Sequence, residues 1–232
     1  MYKSKLCASL FALALAAPLA QAHESGDIIL RAGAITVNPK ADSSSVKVDQ
    51  GPLAGADLGG KATMSSDTQL GLNFAYMLTN NWGIELLAAT PFQHDVKIKG
   101  TALGAANGKL GSLKQLPPTL SVLYYPLDGK SAFQPYVGAG INYTWIFDEH
   151  VGSQAQSNGF SNFKAESSWG MAFQIGADYM ITDSIMINAQ VRYIDIDTTA
   201  TVENNAVAPG TRAKVDVDVD PFIYMVGLGY KF

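Results

Sequence analysis

The sequence has little cysteine, little charge and no long apolar run. Its only cysteine among 232 residues is Cys7. Disulfide frameworks and thiolate metal sites are thereby excluded for everything beyond that position. Charged residues make up 16% of the chain, against about 25% in ordinary soluble domains. The longest nearly uninterrupted apolar stretch, Leu6 to Ala20, falls short of the roughly 20 residues that a spanning helix needs. A helical membrane protein is therefore excluded. The formal charge of −4 argues against a nucleic-acid partner. Yet 47% of the residues are hydrophobic, with ten Phe, ten Tyr and three Trp, which excludes disorder. The apolar residues must be dispersed in a pattern.

The first 22 residues read as an export signal. Lys3 and Lys5 precede the apolar stretch, and Ala20-Gln21-Ala22 supplies small residues at a cleavage site. Cys7 lies at the start of the apolar region, so a lipid-anchored cysteine is not expected. Residues 23–232 are expected to form one domain, with no linker and no internal repeat.

Beyond residue 22 the pattern is strict alternation. Phe222, Tyr224, Val226, Leu228, Tyr230 and Phe232 share one parity, and Ile223, Met225, Gly227, Gly229 and Lys231 share the other. Successive side chains of a strand point to opposite faces, so one face is wholly apolar. The same holds for Leu70 to Leu78, Val137 to Phe147, Trp169 to Tyr179 and Ile185 to Tyr193, and more weakly for Ile28 to Ala34, Trp82 to Ala88 and Leu120 to Tyr124. That makes eight candidate strands. In a soluble sandwich or lipocalin-like barrel the bulky face would point inward. Here Gly33, Gly71, Gly83, Gly138, Gly140, Gly170, Gly176, Gly227 and Gly229 all lie opposite the bulky face, whereas a soluble barrel needs bulky inward residues. The bulky face also carries almost no charge, and aromatics gather near the strand ends, as lipid contact and interfacial girdles require. The expected fold is an all-β, eight-stranded antiparallel transmembrane barrel.

Three connections are short (79–81, 126–132, 181–184) and four are long (38–67, 91–118, 148–165, 198–214). Outer-membrane barrels pair short periplasmic turns with long outside loops, which places both termini on the periplasmic side. The long connections, rich in Gly, Ser, Ala and Asn, are expected to be mobile loops. They carry His94 and His150.

Parity also assigns the lumen. Toward the outside, Ile35, Leu87, Ala89, Ile146, Ile194, Ile223 and Met225 point inward. Deeper inward positions are Arg31, Glu85, Asn142, Gln174, Asp178, Asn188, Gln190, Arg192 and Lys231. An apolar mouth stands over a polar floor whose charges can satisfy one another. Eight strands leave a narrow interior that side chains nearly fill, so a wide aqueous pore is not expected. The alternation runs on through Ile194-Asp195-Ile196-Asp197 and Val215 to Asp220, with Ile196, Val217 and Val219 inward and aspartates outward. Those segments read either as an apolar tube above the membrane or as an amphipathic hairpin with a solvated acidic face. The aspartates offer oxygen ligands for divalent ions shared with lipopolysaccharide, or simply stand in water.

At these residues the chain resembles the OmpW family of small outer-membrane proteins, which includes OprG and AlkL, with the pseudomonad OprG branch the nearer resemblance. The similarity is carried by Val217-Asp218-Val219-Asp220-Pro221-Phe222 through Gly229-Tyr230-Lys231-Phe232, by Ala88-Ala89-Thr90-Pro91-Phe92 and by Gln134-Pro135-Tyr136-Val137-Gly138-Ala139-Gly140. Ser66 to Gly71 and Arg192 to Asp197 add to it. The resemblance implies an extracellular hydrophobic funnel and passive uptake of small hydrophobic or weakly amphipathic solutes, without cofactor or metal. It also implies lateral release through the wall. Pro91, beside Phe92, is the expected place, because proline lacks an N–H and interrupts ladder pairing; the alternative is that Pro91 merely ends a strand. Leu53, Leu58, Phe160 and Phe163 are the expected loop constriction, and Phe232 resembles the terminal aromatic that the barrel assembly machinery reads. Expected partners are outer-membrane lipid, lipopolysaccharide and small hydrophobic solutes. A structural or adhesive barrel without transport is the competing expectation. An enzyme built on His94 or His150 with nearby Asp and Ser is disfavoured, because solvated loop histidines are the commoner case.

Overall fold

The computed structural model describes residues 22–206 and 209–232; the expected export signal, up to residue 21, lies outside them. Sixteen strands follow one another: β1 (Ile28–Asn38), β2 (Asp42–Ser43), β3 (Val46–Gln50), β4 (Asp57–Met64), β5 (Asp67–Met77), β6 (Trp82–Ala89), β7 (Phe92–Thr101), β8 (Gly108–Leu116), β9 (Thr119–Tyr124), β10 (Phe133–Val151), β11 (Phe160–Ala165), β12 (Ser168–Met180), β13 (Ile185–Ile194), β14 (Asp197–Asn204), β15 (Arg212–Asp218) and β16 (Phe222–Lys231), with a short helix α1 (Ser153–Ser157). They are eight wall strands, most of them broken once at similar height.

The lower storey closes on itself. β1 pairs β5, β5 pairs β6, β6 pairs β9, β9 pairs β10, and β10, β12, β13 and β16 follow back to β1, all antiparallel. In hydrocarbon every backbone polar group must be paired within the protein, which only a helix or a closed barrel achieves. The predicted eight-stranded barrel is thus the observed one. Its outer face is the predicted apolar parity: Leu30, Leu72, Phe74, Leu86, Val137, Ile175, Val226 and Leu228 are all exposed. Aromatic pairs on the outer face mark the two interfaces. Trp82–Tyr124 and Tyr230–Phe232 stand at the end where β1 begins and β16 finishes, and Tyr143–Trp169 and Trp145–Phe147 at the other.

The upper storey corrects the expectation of mobile loops. The long connections fold as strands, β14–β15–β3–β4–β7–β8–β10, with β11 on β14. Their inward residues, including Val46, Val96, Ile98, Leu113, Val202 and Val215, are buried in one apolar cluster. Small and polar residues occupy the turns, but period-two apolar positions between them suffice to continue the sheet. β10 alone crosses both storeys unbroken, over 19 residues, bulging where Asp148 takes a positive φ of 55°.

Inward glycines let large side chains lie flat across the lumen. A Cβ on Gly176 would meet Cζ and the hydroxyl of Tyr136 at 2.5 Å. Replacing Gly176 by alanine should therefore displace the Tyr136 ring and destabilise the barrel by about 1–3 kcal/mol. Urea unfolding of the refolded protein in detergent measures this; an unchanged midpoint contradicts it.

Candidate functional site

The polar floor is a single buried network. Arg31 from β1 donates from Nε to Asp178 Oδ1 at 2.9 Å, from Nη1 to Glu85 Oε2 at 3.0 Å, and from Nη2 to Asp178 Oδ2 at 2.6 Å and the Tyr125 hydroxyl at 2.8 Å. Arg192 from β13 donates from Nη2 to Glu85 Oε1 at 2.8 Å and from Nε to Gln174 Oε1 at 2.8 Å. Asn73 and Gln174 each donate to Glu85, and Asn188 donates to Asp178. Two arginines thus face two carboxylates, all four essentially without solvent exposure. An ion deprived of water needs close pairing of this kind; of the two guanidinium groups, only Arg192 Nη1 lacks a hydrogen-bond partner. The network ties wall strands from around the barrel and closes the lumen below the mouth.

Of the predicted floor residues, Arg31, Glu85, Asp178 and Arg192 come together. Lys231 does not. It lies at the chain-end rim, bonded to the Ala22 carbonyl and 3.8 Å from Asp27, because its position near the end of β16 places it below the charged layer. Asn142 also departs from expectation. It sits higher, donating to the Pro118 carbonyl and Thr119 Oγ1. His23 had no pattern to announce it. It is buried against Asp178 at 3.0 Å and packs edge-on to Tyr125. Tyr125 and Tyr136 join it beneath Arg31, whose guanidinium lies 5.5 Å from the Tyr136 ring centre.

Above the floor, Ile35, Leu87, Ile146, Ile194, Ile196, Val217, Val219, Ile223 and Met225 belong to one buried apolar cluster, with Ala89 packed on it. Here side chains fill the tube. It opens higher up, into a cavity of about 120 Å³. All four residues expected to narrow the loops line it: Leu53, Leu58, Phe160 and Phe163, together with Val48 and Ile98. They belong to strands and a turn of the upper storey rather than to free loops.

Pro91 and Phe92 part company. Pro91 is exposed, whereas Phe92 is fully buried in the apolar cluster. The wall is interrupted beside them. The β6–β9 ladder ends at Leu87↔Thr119, and the β7–β8 ladder resumes at Phe92↔Gln115. Between those rows Ala88–Pro91 faces Leu116–Pro118, and no hydrogen bond joins the two segments among the described residues. Three prolines, Pro91, Pro117 and Pro118, withhold their N–H groups there. Neighbouring breaks are bridged: Ser65 N donates to Asp95 O, Gln93 N to Asp67 Oδ2, Ile194 N to Pro221 O and Val219 N to Ile196 O. The seam lies in the row of Trp145, which pairs with Leu116, at the level of the upper aromatic belt.

His94 is not the solvated loop residue that was expected. It points into the tube directly above the seam, fully buried. Its Nδ1 donates to the Ser65 carbonyl at 2.6 Å, and its Nε2 accepts from Gln115 Nε2 at 3.0 Å. Burial pushes its pKa down from 6.5, so the imidazole is neutral at pH 7. His150 is exposed on the outer face and bonds the Asp148 carbonyl. The two histidines share no site.

The acidic rim is drawn together by β14 and β15. Carboxylate oxygens of Asp195, Asp197 and Asp220 lie within 4.8 Å of one another, and Asp218 stands directly across from Asp197. Local desolvation, then the neighbouring aspartates, raise the pKa of the exposed Asp197 above 3.8.

Two measurements test this geometry. Glu85→Gln leaves two buried guanidinium groups with one carboxylate, and should cost about 3–5 kcal/mol in urea unfolding; a neutral effect contradicts the network. For Asp197 the raised folded pKa means that stability is lost as pH rises through it. Asp197→Asn should therefore stabilise the barrel at pH 7.5 by about 0.2–1 kcal/mol, the size of a like-charge cross-strand pair. The gain should vanish below pH ~3.8, the ordinary carboxylate range. A pH-independent gain contradicts the assignment.

Known proteins share this architecture. The family model described as "OmpW family" matches residues 24–232. Outer membrane protein W of Vibrio cholerae is 42% identical over 230 residues, covering 99% of this chain and all of that protein. The crystal structure of OprG from Pseudomonas aeruginosa superposes with a TM-score of 0.84 at 50% identity, covering 91% of this chain and 98% of that one. Outer membrane protein AlkL of Ectopseudomonas oleovorans is 29% identical over 187 residues, 81% of this chain and 74% of its own. The AlkL structure in lipid bilayers gives a TM-score of 0.59 at 26% identity, covering 90% of this chain and 92% of that one. The chain belongs to the OmpW family of bacterial outer-membrane β-barrel proteins.

Proposed function

We propose that this barrel takes up small hydrophobic or weakly amphipathic molecules passively and releases them sideways into the membrane. A solute enters the apolar cavity walled by Val48, Leu58, Ile98 and Phe163. It moves down past Ile196, Val217 and Ile194, meets the charged floor, and leaves between Pro91 and Pro117–Pro118. The observation that carries this reading is the coincidence of the two features. The tube is lined mainly by aliphatic side chains, with His94, Gln115 and Asn142 as polar groups near the seam, and the floor is closed by ion pairs that an apolar solute cannot replace. Among the described residues, the one unbridged seam at the level of the aromatic belt opens toward lipid just above it. Phe92, buried beside the seam, is the side chain that must swing aside, and the His94–Gln115 bond holds the strands above it.

The orientation follows from the same geometry. The short-turn end carries both termini and faces the periplasm; the apolar mouth faces outward. The export signal of residues 1–22 is removed on the way. Phe232, exposed at the end of β16, presents an aromatic terminus to the barrel assembly machinery. Outer-membrane lipid and lipopolysaccharide surround the wall.

Replacing both Ile194 and Val217 by aspartate should lower uptake of a hydrophobic ester into proteoliposomes at least about tenfold, since a buried charge obstructs an apolar path. Cysteines at Ala89 and Pro117, joined by a short thiol crosslinker, should block uptake until the crosslink is cut. Full uptake by a correctly folded variant in either case sinks the proposal.

A further inference from the structure

The outer surface of the upper storey carries an arrangement that the transport path does not use. On β4, β7 and β8, Lys61 stands directly across from Lys99, and Lys97 directly across from Lys109. Lys97 and Lys99 are two residues apart on one strand, so all four side chains share one face. A third like-charged pair, Lys47 and Lys214, follows around the rim on β3 and β15. Like charges directly opposite on a sheet destabilise it, and any polar residue would serve a solvated face. Lys61 is offset by Asp42 at 3.0 Å and Lys109 by Asp95 at 2.8 Å. Lys97 and Lys99 have no carboxylate partner among the described residues, so the patch keeps an excess of two positive charges. Around the barrel, Asp195, Asp197, Asp218 and Asp220 give the β14–β15 face the opposite sign.

We propose that this lysine face docks the phosphorylated inner core of lipopolysaccharide. This rests on the orientation given above, with the apolar mouth outside. Charge and height both point to it. The lysines surround Thr63 on a sheet that continues the wall strand leaving the membrane at Thr90. At ~3.3 Å per residue and a tilt of about 40°, Lys97 stands about 15–20 Å above Thr90. That height exceeds the lipid headgroup layer and meets the first core sugars, where phosphate esters are the dense negative charge. Lysine ammonium groups bind phosphate as mobile point charges, and four on one rigid sheet provide a multivalent contact. The acidic β14–β15 face repels the same groups, so lipopolysaccharide packs against one side of the barrel. The side that it covers includes the two wall strands that flank the seam.

The test uses the full-length refolded barrel and two lipopolysaccharides that both keep their lipid A phosphates. One has phosphorylated core heptoses and the other lacks those phosphates. Wild type should bind the first at least about tenfold more tightly, because several lysines near an anionic surface act together. Lys97→Gln/Lys99→Gln should lose that preference while keeping the same detergent-gel mobility as folded wild type. Lys164→Gln, on β11, should keep it. Equal binding of the two lipopolysaccharides by wild type overturns the proposal, and so does a preference that survives in the double variant. Displacement by millimolar inorganic phosphate also overturns it, since that outcome assigns a free-phosphate site. Labelling of Ala105→Cys on intact cells checks the orientation separately. Solute uptake is read on the same preparations and decides the transport reading independently of the binding result.

Discussion

Backbone pairing in hydrocarbon is the constraint on which this structure depends. A polar N–H or C=O left open to lipid costs several kcal/mol, so the lower storey must close, and it does so through eight ladders. The rule also makes any interruption informative. Between Leu87↔Thr119 and Phe92↔Gln115 the ladder stops. Proline supplies three of the seven residues there and removes the donors that would otherwise demand partners. The wall is thus locally relieved of the requirement that closes it elsewhere.

Closure also creates the second requirement. A narrow barrel has an interior that side chains must fill, and charged ones can be placed there only as a neutral set of paired ions. Arg31, Glu85, Asp178 and Arg192 meet that condition with help from Tyr125, Gln174 and Asn188. An apolar solute would meet a far higher barrier at this set than at the seam above it, and the proposed path rests on that difference. Their vertical order, apolar tube over ion pairs, follows from which inward positions along each strand are aliphatic and which are charged.

Much of this was legible in the sequence, for definite reasons. Strand parity is rigid, so the sequence alone assigns Leu72 and Val226 to lipid, and Arg31 and Glu85 to the lumen. The glycines opposite the bulky face distinguished lipid from core. What parity cannot supply is register and distance. The seam is a relation between two strands; Pro91 was visible, but its facing Pro117–Pro118 required the pairing. The upper storey was misread as loops because turn-forming residues separate short apolar alternations such as Val46–Val48 and Val96–Ile98. For the same reason His94 reads as a solvated loop residue, although its parity with Phe92 and Val96 points inward. His23 lies before the first strand, where no alternation exists to place it, and Lys231 had the right face but the wrong depth.

The central claim is the path, an apolar tube that ends at the floor and turns out through the wall. Photo-crosslinking with a diazirine-bearing hydrophobic solute in lipid-embedded protein tests it most directly, with labelled residues located by peptide mapping. The account predicts label along the cavity at Ile98 and Phe163 and at the seam around Ala89, Phe92 and Leu116. Label at Leu123, Met186 or Tyr136, beneath the ion pairs, would contradict it.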